Sequence, residues 1–429
     1  MYVCDISRSL GETIGKDGLS QTNFDAALHR AGEAVVRLKA RHAKGDLLLT
    51  QLPSQRDDLD AMRRFAEQLC ENTTDLILLG IGGSSLGAQT LAQSSGWGTP
   101  GYRSPEGRPT LHMPENLDAV SFERLLGSCD LRTTRFLVVS KSGGTPEPIS
   151  QMLYAMTAIE QAGGGKDMKH HFGVVTGPGA KNPLRALAME MGFLLLEHGE
   201  VGGRFSAFSN TGLIPAIILG LDPVKLREGA QYTLATTLEN ADAPVTACAA
   251  VTIGMLEHHG VSMSALTVYD DRLQRMGLWF RQLWGESLGK DGKGLTPLAG
   301  VGPVDQHSQL QLFLGGPNDK LHTVITRDVV GEGQVPDPAF AKGALAAFAG
   351  KTMGDLLDAE QRATIETLAK NGRPVRELKL PALREENLGA LLMHFMLETI
   401  LVADMMGIDP FDQPAVEEGK LLARKYLAG

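Results

Sequence analysis

Short apolar runs that each end in glycine or serine and lead into a helical pattern most constrain the fold of this chain. Such runs are typical of buried parallel strands, and their alternation with helices indicates βαβ units with right-handed crossovers. The pattern begins near residue 75 and again near residue 265, so two sheets are expected. The predicted strands are 76–79, 136–139, 172–175, 265–269 and 321–325, and the predicted helices are 149–159, 183–191 and 273–284.

The length of 429 residues favours more than one domain, because a single hydrophobic core stops growing at roughly 250 to 300 residues. The apolar stretch 388–406 contains His394, Glu398 and Asp404, so we expect a buried helix there and not a membrane span. Four segments are predicted: an amphipathic helical packing arm (1–56), a first sheet domain (57–200), a second sheet domain (201–400) and a C-terminal segment (401–429).

Composition narrows the class of protein. A formal net charge of -9 without a long basic run disfavours nucleic acid or an anionic membrane as partner, so local groups must hold any phosphorylated ligand. The four cysteines are far apart and form no C-x-x-C pair, which argues against a zinc site and a disulfide framework. The N-terminal residues lack the basic and apolar regions of a signal peptide. We therefore expect a cytoplasmic protein without a metal or other cofactor.

The first loop, residues 80–85, joins a predicted strand to a helix. Its glycines let the backbone approach a ligand, and the N–H groups and positive dipole at the start of the helix favour an anion. Two other interpretations stay open. One is simple packing of strand against helix, and the other is a dinucleotide fingerprint, although Ser85 stands where that motif has its third glycine.

The second loop, residues 140–147, also follows a predicted strand, and Pro146 can start the helix after it. Three hydroxyls, two glycines and a lysine within six positions supply the donors and positive charge that a phosphate monoester requires. A Ser/Gly-rich connection without a ligand is the alternative. Both loops would face one crevice at the carboxyl ends of the strands. The six residues are Ser140, Lys141, Ser142, Gly143, Gly144 and Thr145.

Two further segments carry charged candidates. Gly202 and Gly203 precede Arg204, which suggests a backbone bend that aims a guanidinium inward, where it could stabilise an oxyanion or form a structural salt bridge. Gln282 and Glu286 are four residues apart and share a helix face if the predicted helix continues that far. Glu286 is therefore the candidate base, with an ordinary exposed glutamate as the alternative.

Taken together and in this order, these segments and those around His307 and Lys420 resemble the glucose-6-phosphate isomerase family, in particular its shorter bacterial members. The resemblance runs from about residue 75 to residue 425, and the stretches 202–206 and 411–420 are similar to the most diagnostic motifs of that family. It implies an α/β fold of two sugar-isomerase (SIS) domains, each a parallel sheet flanked by helices. The two α/β units predicted from the apolar runs agree with this fold.

The resemblance also implies residue roles. Glu286 is the base, Arg204 stabilises an enediolate, and His307 and Lys420 assist ring opening, with His307 supplied by the neighbouring subunit of a homodimer. The implied reaction is the reversible isomerisation of glucose 6-phosphate and fructose 6-phosphate through a cis-enediol, in glycolysis and gluconeogenesis. Gln282 contacts the substrate, and the residues implied to hold its phosphate are Gly83, Ser84, Ser140, Lys141, Ser142 and Thr145.

Two alternatives to this function stay open at this point: a bifunctional glucose/mannose phosphate isomerase, and a non-catalytic sugar-phosphate sensor, which would have no need of Glu286. Two departures from the family pattern also stand out. Pro148 occupies a position where threonine is common, and Ala415 replaces a glycine, which raises the question of whether the local backbone needs a positive φ.

Overall fold

The computed structural model describes residues 1–429, apart from the side chain of Ala428. Two five-stranded sheets are flanked by helices, which confirms the predicted α/β class. The strands are β1 (Val3–Asp5), β2 (Asp75–Leu79), β3 (Thr110–His112), β4 (Thr134–Ser140), β5 (Phe172–Thr176), β6 (Leu194–Glu197), β7 (Met263–Val268), β8 (Thr296–Val301), β9 (Lys320–Arg327) and β10 (Val375–Leu380).

The helices vary from single turns to 24 residues. They are α1 (Gly11–Ile14), α2 (Gln21–Lys44), α3 (Leu48–Gln51), α4 (Leu59–Leu69), α5 (Leu86–Ser94), α6 (Ala119–Ser128), α7 (Pro146–Gln161), α8 (Pro183–Met191), α9 (Asn210–Leu219), α10 (Pro223–Glu239), α11 (Pro244–His259), α12 (Gln274–Leu288), α13 (Leu310–Gly315), α14 (Met353–Lys370), α15 (Glu385–Met406) and α16 (Glu417–Ala428).

The first sheet has the order β3-β2-β4-β5-β6 with every neighbouring pair parallel. Its central strands are continuous apolar runs because helices cover both faces. β2 and β4 are neighbours, so the loops that follow them emerge side by side at the carboxyl edge of the sheet. That is the ligand position expected in an open parallel sheet.

The second sheet has the order β1-β10-β9-β7-β8, parallel except for β1. β1 corrects one sequence expectation, because the segment 1–56 is not purely a helical arm but begins with a strand on the edge of this sheet. Three residues are too short for a periodicity signal, and the partner strand lies more than 370 residues away along the chain. The predicted boundaries at residues 56, 200 and 400 stay predictions.

Helix α15 passes through the interior. It is long and apolar enough to span a membrane, but 89% of its apolar window is buried within the protein. The prediction of a buried helix at 388–406 is thus confirmed. The Phe280 ring on α12 packs against Phe395 of α15 with their centroids 5.2 Å apart, and against Trp284 at 5.1 Å. This packing fixes α12, which carries Gln282 and Glu286, against the core.

A fully buried ionic cluster joins β10 to α15. Arg376 donates to Glu398, whose other carboxylate oxygen lies 3.5 Å from His394 Nε2, and the Tyr2 hydroxyl lies 2.6 Å from His394 Nδ1. Burial raises the pKa of Glu398, but the charges of Arg376 and His394 outweigh it, so the pKa falls to about 2. Burial lowers the pKa of His394, but hydrogen bonds to Cys248 and Glu398 outweigh it, so the pKa rises to about 9.

Removing the carboxylate at Glu398→Ala should destabilise the fold by about 3–5 kcal/mol, because a buried Arg376 would lose its partner. Urea denaturation of this variant and of the control Glu366→Ala, at an exposed helix position, measures the difference. Equal urea midpoints for the two variants would contradict the prediction.

The buried cluster also predicts a pH dependence of stability. Its contribution to stability is lost as the pH rises from about 6.5 through about 9, where His394 deprotonates, and as it falls from about 4.5 through about 2, where Glu398 protonates. Urea denaturation of the wild-type protein across both pH ranges tests this, and a free energy of unfolding that falls in neither range would contradict it.

Candidate active site

The first loop lies directly against the turn that carries Arg204. A β-carbon added to Gly83 would stand 2.3 Å from the carbonyl carbon of Gly203, closer than any real contact allows. The Ser206 hydroxyl donates to the Gly83 carbonyl oxygen at 3.1 Å. The glycine at position 83 is therefore required by a close approach of two backbone segments, which brings the first loop and the arginine turn to one place.

Hydrogen bonds within the second loop connect its own hydroxyl groups and backbone. Ser140 Oγ lies 2.9 Å from Thr145 Oγ1, and the Gly144 amide donates to Ser142 Oγ at 3.2 Å. Gly143 has φ +62°, the left-handed region that favours glycine. Helix α7 begins at Pro146, as predicted, so its positive dipole end lies beside this loop. The loop therefore has the donors and the local field to hold an anion.

Lys141 connects the second loop to the arginine segment. Its ammonium donates to the Val201 carbonyl oxygen at 3.4 Å and lies 3.3 Å from Glu200 Oε2. The side chain is about two-fifths exposed, so its charge is also accessible from solvent. The two loops predicted from separate motifs therefore both contact the segment 200–204.

Helix α12 continues to Leu288, and Gln282 and Glu286 share one face as predicted. Gln282 Nε2 donates to Glu286 Oε1 at 3.1 Å, and the same nitrogen would lie 2.9 Å from a β-carbon on Gly82. The Glu286 side chain is 31% exposed, neither solvated like a surface glutamate nor closed off from a ligand. The Gln282 amide thus lies between the first loop and the Glu286 carboxylate and orients one of its oxygens.

The Arg204 guanidinium is the centre of the hydrogen-bond network. It is 4% exposed, and each of its five N–H groups has an acceptor. The acceptors are Ser287 Oγ at 2.9 Å, Glu286 Oε2 at 3.0 Å, Gln413 Oε1 at 3.4 Å, the Pro410 carbonyl oxygen at 2.5 Å and the Asp412 carbonyl oxygen at 3.0 Å.

Burial lowers the pKa of Arg204, and the negative charge of Glu286 opposes that shift. A guanidinium stays protonated at any working pH even so. The site therefore holds a permanent, almost fully desolvated cation 3.0 Å from a carboxylate. The salt bridge that sequence reasoning gave as the alternative role of Arg204 is present, and it is formed with the candidate base itself.

His307 and Lys420 are not brought to this centre within the single chain. His307 ends a short 3-10 helix at Val304–His307 and makes no side-chain hydrogen bond to any residue that the structure describes. Lys420, on α16, pairs with Glu417 on its own helix at 2.7 Å and is about half exposed. Both are accessible on the surface.

The backbone at Ala415 does not have a positive φ. Ala415 lies in a 3-10 turn at Pro414–Val416, and the described non-glycine residues with positive φ are Asn72 and Asp291. Alanine is therefore unstrained at this position. Pro148 is equally accommodated, since it lies in the first turn of α7, where its missing N–H has no helical acceptor to lose.

Three contributing residues were not assigned a role from the sequence. Ser287 accepts from Arg204, and Lys290 binds the C-terminal segment through the Asp409 carbonyl oxygen and, at 2.8 Å, Asp412 Oδ1. Arg424 Nη2 lies 4.0 Å from where a β-carbon on Gly144 would be, so α16 places a positive charge beside the second loop. Only the i, i+4 spacing of Lys420 and Arg424 could have indicated the last of these.

The arrangement therefore brings together two loops suited to an anion, a partly exposed carboxylate and a buried cation. A carboxylate oriented by Gln282 can accept a proton from a bound ligand, and a fixed cation beside it can stabilise negative charge that develops on a neighbouring oxygen. Such an arrangement is suited to proton transfer at a carbon next to a carbonyl group in a phosphorylated compound.

Comparison with known proteins agrees with this chemistry. Residues 59–428 match the model of the phosphoglucose isomerase family. The chain is 36% identical over 391 residues to glucose-6-phosphate isomerase of Rubrobacter xylanophilus, covering 89% of this chain and 90% of that protein. It is 35% identical over 421 residues to glucose-6-phosphate isomerase of Thermus thermophilus, covering 95% and 98%.

Solved structures give the same result for the fold. A hypothetical protein of Thermus thermophilus superposes with a TM-score of 0.86 at 32% identity, and each chain is covered completely. A glucose-6-phosphate isomerase of Chlamydia trachomatis superposes with a TM-score of 0.73 at 22% identity, covering 93% of this chain and 78% of that one. The second similarity concerns the fold alone.

Gly83→Ala should lower the free energy of unfolding by about 1–3 kcal/mol, because its methyl group would overlap the Gly203 backbone and force the two segments apart. Gly202→Ala is the matched control in the same pair of segments, since its β-carbon would meet only Phe205 Cδ2 at an ordinary 3.8 Å. Urea denaturation of both variants tests the prediction. If Gly202→Ala is as destabilised as Gly83→Ala, the close approach is not what requires glycine.

Proposed function

Because this chain belongs to the phosphoglucose isomerase family, we propose that it interconverts glucose 6-phosphate and fructose 6-phosphate through a cis-enediol in the cytoplasm, as a step of glycolysis and gluconeogenesis. The observation that carries the proposal is the pair of Glu286 and Arg204, at 3.0 Å, beside two loops suited to an anion. Isomerisation of a phosphorylated sugar by proton transfer uses three elements: a base, a cation near the developing charge, and an anchor for the phosphate.

Glu286 is the proposed base, which takes the proton from C2 and returns it to C1. Gln282 and Arg204 each hold one of its carboxylate oxygens, so the side chain has little freedom to rotate away from a bound sugar. Its exposure of about a third leaves room for the reacting carbon. Orientation of this kind reduces the entropy that the transition state must lose.

Arg204 is proposed to stabilise the enediolate. All five N–H groups already have acceptors, so a substrate oxygen gains a direct bond by replacing the longest of them, the 3.4 Å contact from Nη1 to Gln413. Its other contacts keep the cation in place while that exchange occurs. A preorganised charge in a desolvated site is worth more than the same charge in water.

The phosphate is proposed to bind the two loops, through Gly83 and Ser84 in the first and Ser140, Lys141, Ser142 and Thr145 in the second. In the second loop, the hydroxyls that now bond to each other, Ser140 and Ser142 with Thr145, can turn to a phosphate without a change of backbone. The free energy gained by binding this remote group can orient C1 and C2 against Glu286. Arg424 adds a positive charge near Gly144.

Ring opening is proposed to use Lys420 and His307, with His307 supplied by the other subunit of a homodimer. The exposure of His307, at the start of the connection after the edge strand β8, supports a role for it outside its own chain. Lys420 and Arg424 lie on one face of α16, which places Lys420 one helical turn from the charge beside the phosphate loop.

Purified wild-type protein should convert fructose 6-phosphate to glucose 6-phosphate without added metal, as measured by a coupled dehydrogenase. Glu286→Gln should lower kcat by about 10²- to 10⁴-fold, because a positioned base contributes that much and the amide cannot accept the proton. The control is Glu366→Gln on exposed α14, which should retain full turnover. Near-wild-type turnover of Glu286→Gln would remove the assigned base, and no conversion by the wild-type protein would remove the function.

Mixing two inactive variants tests the shared site. If His307 acts across the dimer, subunits of His307→Ala and Glu286→Gln, refolded together, form heterodimers with one complete site and one doubly defective site. Random pairing makes half of the dimers mixed, so activity should return to about a quarter of the wild-type value. A mixture that stays as inactive as its components would place His307 in the site of its own subunit.

A further inference from the structure

Three different metal-ligating side chains meet at the amino edge of the first sheet, away from the site described above. One oxygen of Asp75, one ring nitrogen of His112 and the sulfur of Cys129 all lie within 4.8 Å of one another. His112 Nε2 is 2.9 Å from Asp75 Oδ1. All three side chains are partly exposed, so an ion from solvent can reach them.

The sheet register explains why they converge. Asp75 pairs with Thr110 and Ile77 with His112, so Asp75 and His112 lie diagonally on one face of neighbouring parallel strands. That face is covered by α6, whose Phe122 and Leu126 pack with Ile77 in the same apolar cluster. Because α6 ends at Ser128, its capping residue Cys129 places the thiol beside the first residue of β2.

Neighbouring polar groups orient the ligands. Thr74 Oγ1 donates to Asp75 Oδ2 at 2.9 Å and lies 2.8 Å from Thr133 Oγ1, so the carboxylate is held with Oδ1 towards His112. Such outer hydrogen bonds are what fix ligand geometry in metal sites. A tetrahedral ion with these ligands requires separations of about 3.3–3.8 Å between them, so the present upper limit of 4.8 Å leaves at most about 1 Å of adjustment.

We propose that Asp75, His112 and Cys129 form a binding site for a divalent transition-metal ion, with Zn²⁺ as the best match. A thiolate, an imidazole and a carboxylate are the ligand types that zinc takes, whereas Mg²⁺ and Ca²⁺ prefer oxygen alone. The thiolate and carboxylate together neutralise the charge of the ion. Three protein ligands leave a fourth tetrahedral position for water.

The site is remote from the catalytic crevice. Asp75 begins β2 and the first loop follows its other end, so about 15 Å of strand separates them at about 3.3 Å per residue.

Titration of the full-length, chelator-treated protein with Co²⁺ tests the proposal. The wild-type protein should develop a thiolate-to-cobalt charge-transfer absorption that saturates at one equivalent per chain and disappears when Zn²⁺ is added. Cys129→Ser should abolish this band, and His112→Ala should weaken Co²⁺ binding at least about tenfold. Cys70→Ser is the matched control, because Cys70 is also partly buried but lies outside the cluster, and it should retain the band.

Circular dichroism separates loss of a ligand from loss of the fold, and both Cys129→Ser and the control should keep wild-type isomerase turnover. A wild-type protein that gives no saturable band would overturn the site. An undiminished band in Cys129→Ser would overturn the assignment of that ligand and with it the proposal. Neither result depends on the proposed isomerase function, which is measured separately.

Discussion

The contacts of the Arg204 guanidinium are the interaction on which the rest of the site depends. They join three parts of the chain that are far apart in sequence: the glycine turn at 202–204, the end of α12, and the segment 410–413. A buried cation is stable only if its donors are paired, so each of these parts is positioned by the need to satisfy the others. Glu286 is fixed as one of these acceptors, which makes its orientation a consequence of the fold.

The same contacts explain how a C-terminal helix with exposed side chains can belong to the site. Arg204 and Lys290 both bind the segment 409–413, which precedes α16. In the same segment, the Phe411 ring packs against Phe205 with their centroids 5.4 Å apart. Beyond this anchored segment, the described side chains of α16 are exposed. Lys420 and Arg424 therefore extend towards solvent from a helix whose preceding segment is anchored to the site.

Sequence reasoning succeeded where the signal is local. The apolar runs found β2, β4, β5, β7 and β9, and the loops after β2 and β4 follow directly from their glycines and hydroxyls. It missed the short strands β1, β3 and β6, which have only three or four residues each. It also missed β8, which contains Pro297 and Gly300 on an edge of its sheet, and β10, whose charged residues include the buried Arg376. Both strands depend on tertiary partners. No role was predicted for Ser287 and Lys290 for the same reason, because their contacts form only when Arg204 and the C-terminal segment are in place.

Spacing along the chain cannot detect side chains that only the fold brings together. Spacing detects ligands that share one turn or helix, whereas Asp75, His112 and Cys129 come from a strand, its neighbour and the end of the helix that covers them. A parallel sheet gathers residues at both of its edges, and the two loops of the candidate active site follow the carboxyl ends of β2 and β4. The amino edge is therefore free to carry a second chemistry without disturbing the first. Strand β2 connects the two edges, with the proposed metal ligand Asp75 at its start and the first loop at its end.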